Sequence, residues 1–295
     1  MEDLLTNIVY IQGDTEILKN NDCPLNILWG VQPRNLPGLE FLIPVMQIVK
    51  FIKAGNYITI LLADIHELLD SPQLDINIIK YRGKAYVKLI QLLVELFDVD
   101  PNNITYKFGS EFQLTPNYVM DFYKISSLTT VKDTFKARQI DVNIENDDKK
   151  MTSMLYPILQ SLDEKYIDCD IFYGSITQES MCEYSEELMN KFYKNKKKVL
   201  YLLQDITKKL PLSFFDPPDT IQLKLEEFTD EDLEYLYDNV LIPLLELRED
   251  KTIFIANNKE TIGKLLSSHL TILYDNLLTS EFMEYFRKGW IGISY

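Results

Sequence analysis

Between Asn26 and Leu62 an apolar run ending in a glycine (NILWG), an amphipathic stretch from Leu39 to Ala54 and a second apolar run (YITILL) follow in order, with Gly55 as the stop. Strand, helix, strand at this spacing is a β-α-β unit. Tyr57 to Leu62 is apolar nearly throughout, as a strand in a parallel sheet covered on both faces must be. An α/β domain is the architecture this stretch dictates.

The same alternation continues. A helix is expected from Asp75 to Phe97, a strand at Ile104 to Phe108 and a helix from Pro116 to Ser126. After a polar break at Asn143 to Lys150 come a helix from Met151, a strand from Asp170, a helix from Gln178 to Tyr193 and a strand at Val199 to Leu203. A boundary falls in Ser213 to Thr220 (SFFDPPDT), where Pro217 and Pro218 forbid both helix and ladder pairing. Beyond it, Leu223 to Leu247 and Lys259 to Phe286 read as helices, so the expected division is 1–215 as the α/β domain and 216–295 as a smaller, mainly α-helical one.

Lys+Arg 30 against Asp+Glu 45 gives a net charge of -15, a field that repels phosphate backbones. The densest basic run, Lys194 to Lys198, reads as a solvated loop rather than a nucleic-acid contact. Cys23, Cys169 and Cys182 are widely spaced and fit free thiols in a reducing compartment, and no zinc or other metal site is expected. The acidic start and the lack of an apolar run of about 20 residues argue against a signal peptide or a membrane span, so a cytoplasmic location is expected.

Chemistry concentrates in Met151 to Asp163 (MTSMLYPILQSLD). At helical spacing Met154, Leu155, Ile158, Leu159 and Leu162 form an apolar stripe, with Tyr156, Gln160 and Asp163 together on an adjacent one. Periodicity alone favours a solvated polar face over a binding site. Elsewhere the residues offer little: His66 and His269 are the only histidines, and no Gly-rich phosphate loop or hydrolase elbow is present. His66 is expected to line a pocket or satisfy a backbone group, His269 to be a packing residue, Glu111 to be solvated or paired, and the C-terminal GWIGISY to pack back on the helical part.

Several motifs in order resemble archaeal and eukaryotic tyrosyl-tRNA synthetases, which are class I enzymes. Phe51 to Asp70 (FIKAGNYITILLADIHELLD) is similar to their second strand and LADLHAYL-type turn, with Ala63, Asp64 and His66 in register. Gly109 to Ala137 is close to their GSEFQL segment and following helices. Tyr156, Pro157, Gln160 and Asp163 fall on a YPxxQxxD element, and Gly174 and Gln178 on a GGxDQ-like continuation. The resemblance implies a Rossmann-like catalytic-type domain over 1–215, a dimerisation insertion at about 75–150, an anticodon-binding-like domain over 216–295, and a homodimer. It implies a tyrosine pocket with Gly30, Ala63, Asp64 and His66, in which Asp163 accepts the phenol hydrogen bond, Tyr156 and Gln160 hold the α-amino group and Gln178 lies near the carboxylate end.

Four departures stand out. The family's second phenol contact, a tyrosine before the first glycine turn, is replaced by Leu28, which should weaken discrimination against phenylalanine. The HIGH element, whose histidines stabilise ATP phosphates, is replaced by Gly38, Leu39, Glu40 and Phe41, and the KMSKS loop by Pro211, Leu212, Ser213, Phe214 and Phe215. Ser175 and Thr177 stand at the second glycine and aspartate of GGxDQ, which weakens the case for ribose recognition. The expectation is a pseudoenzyme that uses no cofactor and acts by binding tyrosine or a protein partner, with tRNA binding weak or absent. Two alternatives stay open: an active ligase using ATP and Mg, with Lys208 or Lys209 standing in for the loop lysine, and a structural dimer without ligand.

Overall fold

The computed structural model describes residues 2–19, 23–140, 150–193, 198–217, 220–247, 259–279 and 281–291. Residues 141–149 of the polar break, 194–197 of the basic run and 292–295 of the C-terminal stretch lie outside them, as does the side chain of His269.

In chain order the elements are α1 (Glu2–Leu5), β1 (Ile8–Gln12), β2 (Asn26–Val31), α2 (Leu42–Lys53), β3 (Tyr57–Leu62), α3 (Asp64–Asp70) and α4 (Ile76–Glu95). They continue with β4 (Ile104–Phe108), α5 (Gly109–Phe112), α6 (Pro116–Ser126), α7 (Val131–Ala137), α8 (Thr152–Ile167), β5 (Ile171–Ser175), α9 (Glu179–Phe192) and β6 (Leu200–Gln204). The rest is helical: α10 (Ile221–Leu225), α11 (Asp230–Leu236), α12 (Ile242–Leu247), α13 (Lys259–Thr279) and α14 (Phe282–Phe286).

The six strands form one sheet in the order β1-β6-β5-β2-β3-β4. The strands expected from the sequence pair in parallel, while β1, which sequence reading missed, joins β6 antiparallel and makes the sheet mixed. The reason is visible in its residues: Val9 and Ile11 face outward and are exposed, so β1 is an edge strand without the continuous apolar signature of the buried ones. Chain order reverses at β2, which lies between β3 and β5. In open α/β sheets a crevice forms at the carboxyl ends of strands at such a switch point.

The chain divides into two compact units. The first holds 1–34, 55–83 and 104–207, including all six strands; the second holds 35–54, 84–103 and 208–295. This division differs from the expected 1–215 and 216–295: the helical unit begins at Lys208 and takes in α2 and most of α4.

In the first unit, Leu28, Leu61 and Phe172 from the sheet join Cys169, Cys182 and Tyr201 in a buried cluster. A second cluster packs Tyr118 of α6 and Ile158, Leu159 and Leu162 of α8 against Met181, Leu188 and Met189 of α9. The expected apolar stripe of α8 is thus the packed one, its members Met154 and Leu155 being half-buried.

In the second unit the long helices expected from the sequence are broken. Leu223 to Leu247 is resolved into α10, α11 and α12, with Thr229 capping α11 through the backbone N–H of Asp232 at 3.2 Å. A stack of Phe215, Phe282, Phe286 and Trp290 follows, with centroids 5.3–6.0 Å apart, so Trp290 packs back as expected.

Candidate functional site

Leu28 and Gly30 on β2, Leu61 on β3 and Phe172 on β5 sit in register on one face of the sheet. Together with Ala63, which follows β3, they wall a cavity of about 100 Å³ on that face of the central strands. A Cβ at Gly30 would meet nothing within 4 Å, so the glycine leaves the floor open. The size is comparable to the roughly 150 Å³ apolar cavity that accepts a benzene ring.

All of the polar lining but Gln32, which the sequence did not single out, comes from expected residues. Tyr156, Gln160 and Asp163 of α8 line the cavity, as do His66 of α3, Gln178 after β5 and Gln32 after β2. Gln178 accepts a 3.0 Å hydrogen bond from the backbone N–H of Ser175, and its side chain folds over Gly174, where any Cβ would collide with it. Asp64 is the exception. Its Oδ1 accepts from the backbone N–H groups of Ile65 (2.9 Å) and Ser110 (2.8 Å), which ties α3 to the start of α5, and it does not line the cavity. Glu111 likewise closes its own helix start, accepting from the Phe108 N–H at 3.1 Å.

Asp163 is 1% exposed. Its Oδ1 accepts from Gln113 Nε2 at 2.7 Å and from the Tyr118 hydroxyl at 2.8 Å, while its Oδ2 has no partner. Burial raises its pKa to about 8, against the pull of the bonds from Gln113 and Tyr118. His66, also buried, has its pKa lowered to about 4 by desolvation, and neither ring nitrogen has a partner. Its Nε2 lies 3.9 Å from Asp163 Oδ2, but a neutral imidazole beside a largely protonated carboxyl is not an ion pair. The His66 ring meets Tyr156 edge-on at 4.5 Å.

At one edge of the site stands a charge network that sequence reading did not foresee. Asp70 accepts from Gln32 (3.1 Å), Arg34 (2.6 Å) and Arg138 (3.2 Å). Burial opposes its ionisation, yet those bonds and the Arg138 charge hold its pKa below the usual carboxylate range. Arg138 then lies over the Tyr156 ring at 4.4 Å, a cation-π contact. Gln113 and Tyr118 lie inside the matched Gly109 to Ala137 stretch and Arg138 directly follows it, but nothing in their spacing pointed to α8.

The positions of the HIGH and KMSKS elements both belong to the helical unit. Here Gly38 pairs with Ser213 in an antiparallel bridge, and the Leu39 N–H donates to the Leu212 carbonyl at 2.9 Å. Glu40 is 6% exposed; its carboxylate folds over Gly38, accepts from the Leu210 N–H at 3.4 Å and pairs with Lys209 at 3.0 Å. Lys208 pairs with Glu231 at 3.1 Å and Asp232 at 3.2 Å. Phe41 meets Tyr86 edge-on at 5.6 Å, and Leu212 and Phe214 are buried. Groups suited to a triphosphate are cations and free backbone N–H donors. A buried carboxylate, apolar side chains and lysines already paired with acids do not fit one.

Among the described residues no group of three or more His, Cys, Asp or Glu is placed to hold a metal ion, and no helix is long and apolar enough to cross a membrane.

The family model for class I tRNA synthetases (W and Y) matches residues 19–225. The probable cytoplasmic tyrosine-tRNA ligase of Vairimorpha ceranae is 34% identical over 180 residues, 61% of this chain and 54% of that protein. The cytoplasmic tyrosine-tRNA ligase of Saccharomyces cerevisiae is 30% identical over 172 residues, 58% of this chain and 43% of that protein. The chain thus spans about half the length of the curated relatives it matches. The tyrosyl-tRNA synthetase of Pyrococcus horikoshii, solved with L-tyrosine, superposes with a TM-score of 0.79 at 15% identity, covering 97% of this chain and 99% of that one. That of Archaeoglobus fulgidus, also with L-tyrosine, gives 0.74 at 19%, covering 96% and 97%. At these identities the structural likeness is one of fold; the family model, which spans most of the chain, carries the assignment. The curated relatives it matches are tyrosine-tRNA ligases, and the chain belongs to the class I tRNA synthetases of the tryptophanyl and tyrosyl type.

Proposed function

We propose that this chain is a tyrosyl-tRNA synthetase-like pseudoenzyme: it binds an aromatic amino acid, tyrosine first, and does not activate it with ATP. The observation that carries the reading is Glu40. A carboxylate stands inside the element where the family places phosphate-binding histidines, and it is buried, paired with Lys209 and packed over Gly38. The segment at the family's mobile loop is bridged to the same turn through Ser213 and Leu212. Removing one preorganised electrostatic contact costs about 10²- to 10³-fold in rate. Loss of both elements, with a negative charge added, lowers adenylation by several such factors even if the effects add only in part.

The cavity supports the binding half of the reading: an apolar ring slot ends at Asp163, with Tyr156, Gln160 and Gln178 around it. Such a protein works through its ligand or through a protein partner, as a cytoplasmic homodimer like the enzymes it resembles. Tyrosine-dependent pyrophosphate exchange from ATP tests it. The expected result is exchange at background; a rate typical of the family overturns the proposal.

One observation favours the active alternative. Lys209 is 77% exposed, so its pair with Glu40 can open. If exchange is seen, replacing Lys208 and Lys209 together with alanine abolishes it on that alternative.

A further inference from the structure

Two buried groups on the cavity wall are left without partners. Asp163 Oδ2 accepts nothing, and His66 offers both ring nitrogens while being 2% exposed. Native proteins rarely leave such atoms unpaired, because a buried polar group without a hydrogen bond is costly. The orphaned atoms converge: His66 Nε2 and Asp163 Oδ2 are 3.9 Å apart, and both residues line the same cavity. Around them the wall is apolar, with Leu28, Leu61 and Phe172.

We infer that His66 is a specificity-determining residue that, with Asp163, brackets the hydroxyl of a phenolic ligand and takes the place of the second phenol contact that Leu28 cannot make. A hydroxyl oxygen at ordinary hydrogen-bond length, about 2.8 Å, from each of two atoms 3.9 Å apart is geometrically allowed. The proton count closes in either ionisation state. With Asp163 protonated, its O–H donates to the ligand oxygen and the ligand hydroxyl donates to an imidazole nitrogen. With Asp163 ionised, the hydroxyl donates to Oδ2 and the imidazole N–H donates to the hydroxyl. A plain phenyl ring satisfies neither group and leaves both buried without partners, which is how a site built around a hydroxyl rejects the analogue lacking it. The His66 ring itself is held edge-on against Tyr156, so its orientation does not depend on the ligand.

This inference rests on the reading of the cavity as an aromatic amino-acid pocket, and the test separates the two. Calorimetry with L-tyrosine and with L-phenylalanine is run on the wild type, on His66→Phe, which keeps the ring and its contact with Tyr156, and on His66→Gln, which keeps a polar atom near Nε2. The wild type prefers tyrosine. His66→Phe lowers that preference by roughly 10-fold or more, through tyrosine alone, and His66→Gln restores part of it. In the wild type, tyrosine shifts the ¹⁵N resonances of the His66 ring and phenylalanine does not, a readout that needs no folded variant. If His66→Phe weakens both ligands equally and tyrosine leaves the ring resonances unmoved, His66 has no part in hydroxyl recognition although the pocket reading stands. If the wild type binds neither amino acid, the pocket reading falls and the inference with it.

Discussion

Asp163 shows how one side chain serves both the core and the cavity. Its Oδ1 anchors Gln113 and Tyr118, so replacing it disturbs the contact between α6 and α8 as well as any ligand. Its ionisation also works against folding. A carboxyl whose pKa is raised to about 8 holds its proton in the folded state while an unfolded aspartate, near 4, has lost it. Between these values the folded state binds more protons, so stability from this group falls as pH rises from about 4 to about 8. His66, lowered to about 4, acts in the opposite sense and costs stability as pH falls below about 6.5. The two roughly cancel between about 4 and 6.5, and only the Asp163 penalty grows above that. Asp163→Asn keeps an acceptor for Gln113 and Tyr118 and cannot ionise. Its stability relative to wild type should therefore climb with pH and level off above about 8, by on the order of a few kcal/mol at most. Urea midpoints of both proteins between pH 5 and pH 9 measure this; a difference that does not change with pH would sink the account.

At the scale of elements, the turn at Gly38 to Phe41 and the segment from Lys208 to Phe215 hold each other. Glu40 supplies an acceptor to the buried Leu210 N–H, and the Leu39 N–H is bonded to Leu212. The ion pair to Lys209 is screened at its lysine end, which is 77% exposed, and so adds less than a fully buried pair would. Leaving the Leu210 N–H without an acceptor costs more, about 1–3 kcal/mol. Glu40→Ala should therefore speed amide exchange across residues 208–215, whereas Lys209→Ala should leave it nearly unchanged; the reverse order in hydrogen-exchange mass spectrometry would reject this division of labour. None of these pairings was legible in the sequence, which displayed the replaced motifs but not what the replacements touch. The parallel strands were legible because burial on both faces writes a continuous apolar run, and α8 because its stripe and its polar row keep helical period. Edge strand β1 was not, since half its side chains meet water. Nor were the breaks in the helical unit, where apolar spacing runs on through Thr229 and only the local cap decides that α10 ends and α11 begins. Of the site, Tyr156, Gln160, Asp163 and Gln178 were read by motif, while Gln113, Tyr118 and Arg138 come from turns and helices whose register with α8 only packing sets.

For the whole molecule, charge and apolar exposure pull in opposite directions. Leu114, Met120, Tyr123 and Leu128, around α6, are 53–68% exposed, an unusual amount of large apolar surface for one short region. The likeness to dimerising synthetases in this stretch makes a second copy of the chain the expected cover. Each copy carries a net charge of -15, so association brings like charges together. A dimer held by apolar burial against such repulsion tightens as salt screens the charge, from a Debye length of about 30 Å at 0.01 M to about 3 Å at 1 M. An interface built on complementary charges would loosen over the same range. Sedimentation equilibrium across these salt concentrations should therefore show a dimer whose dissociation constant falls with ionic strength. Met120→Lys with Tyr123→Glu should give a monomer whose thermal midpoint is close to that of wild type, because both positions are exposed within the chain and surface changes of this kind usually stay within about 0.5 kcal/mol. A wild type that is monomeric at micromolar concentration in high salt would remove the dimer, and with it the explanation for the exposed face of α6.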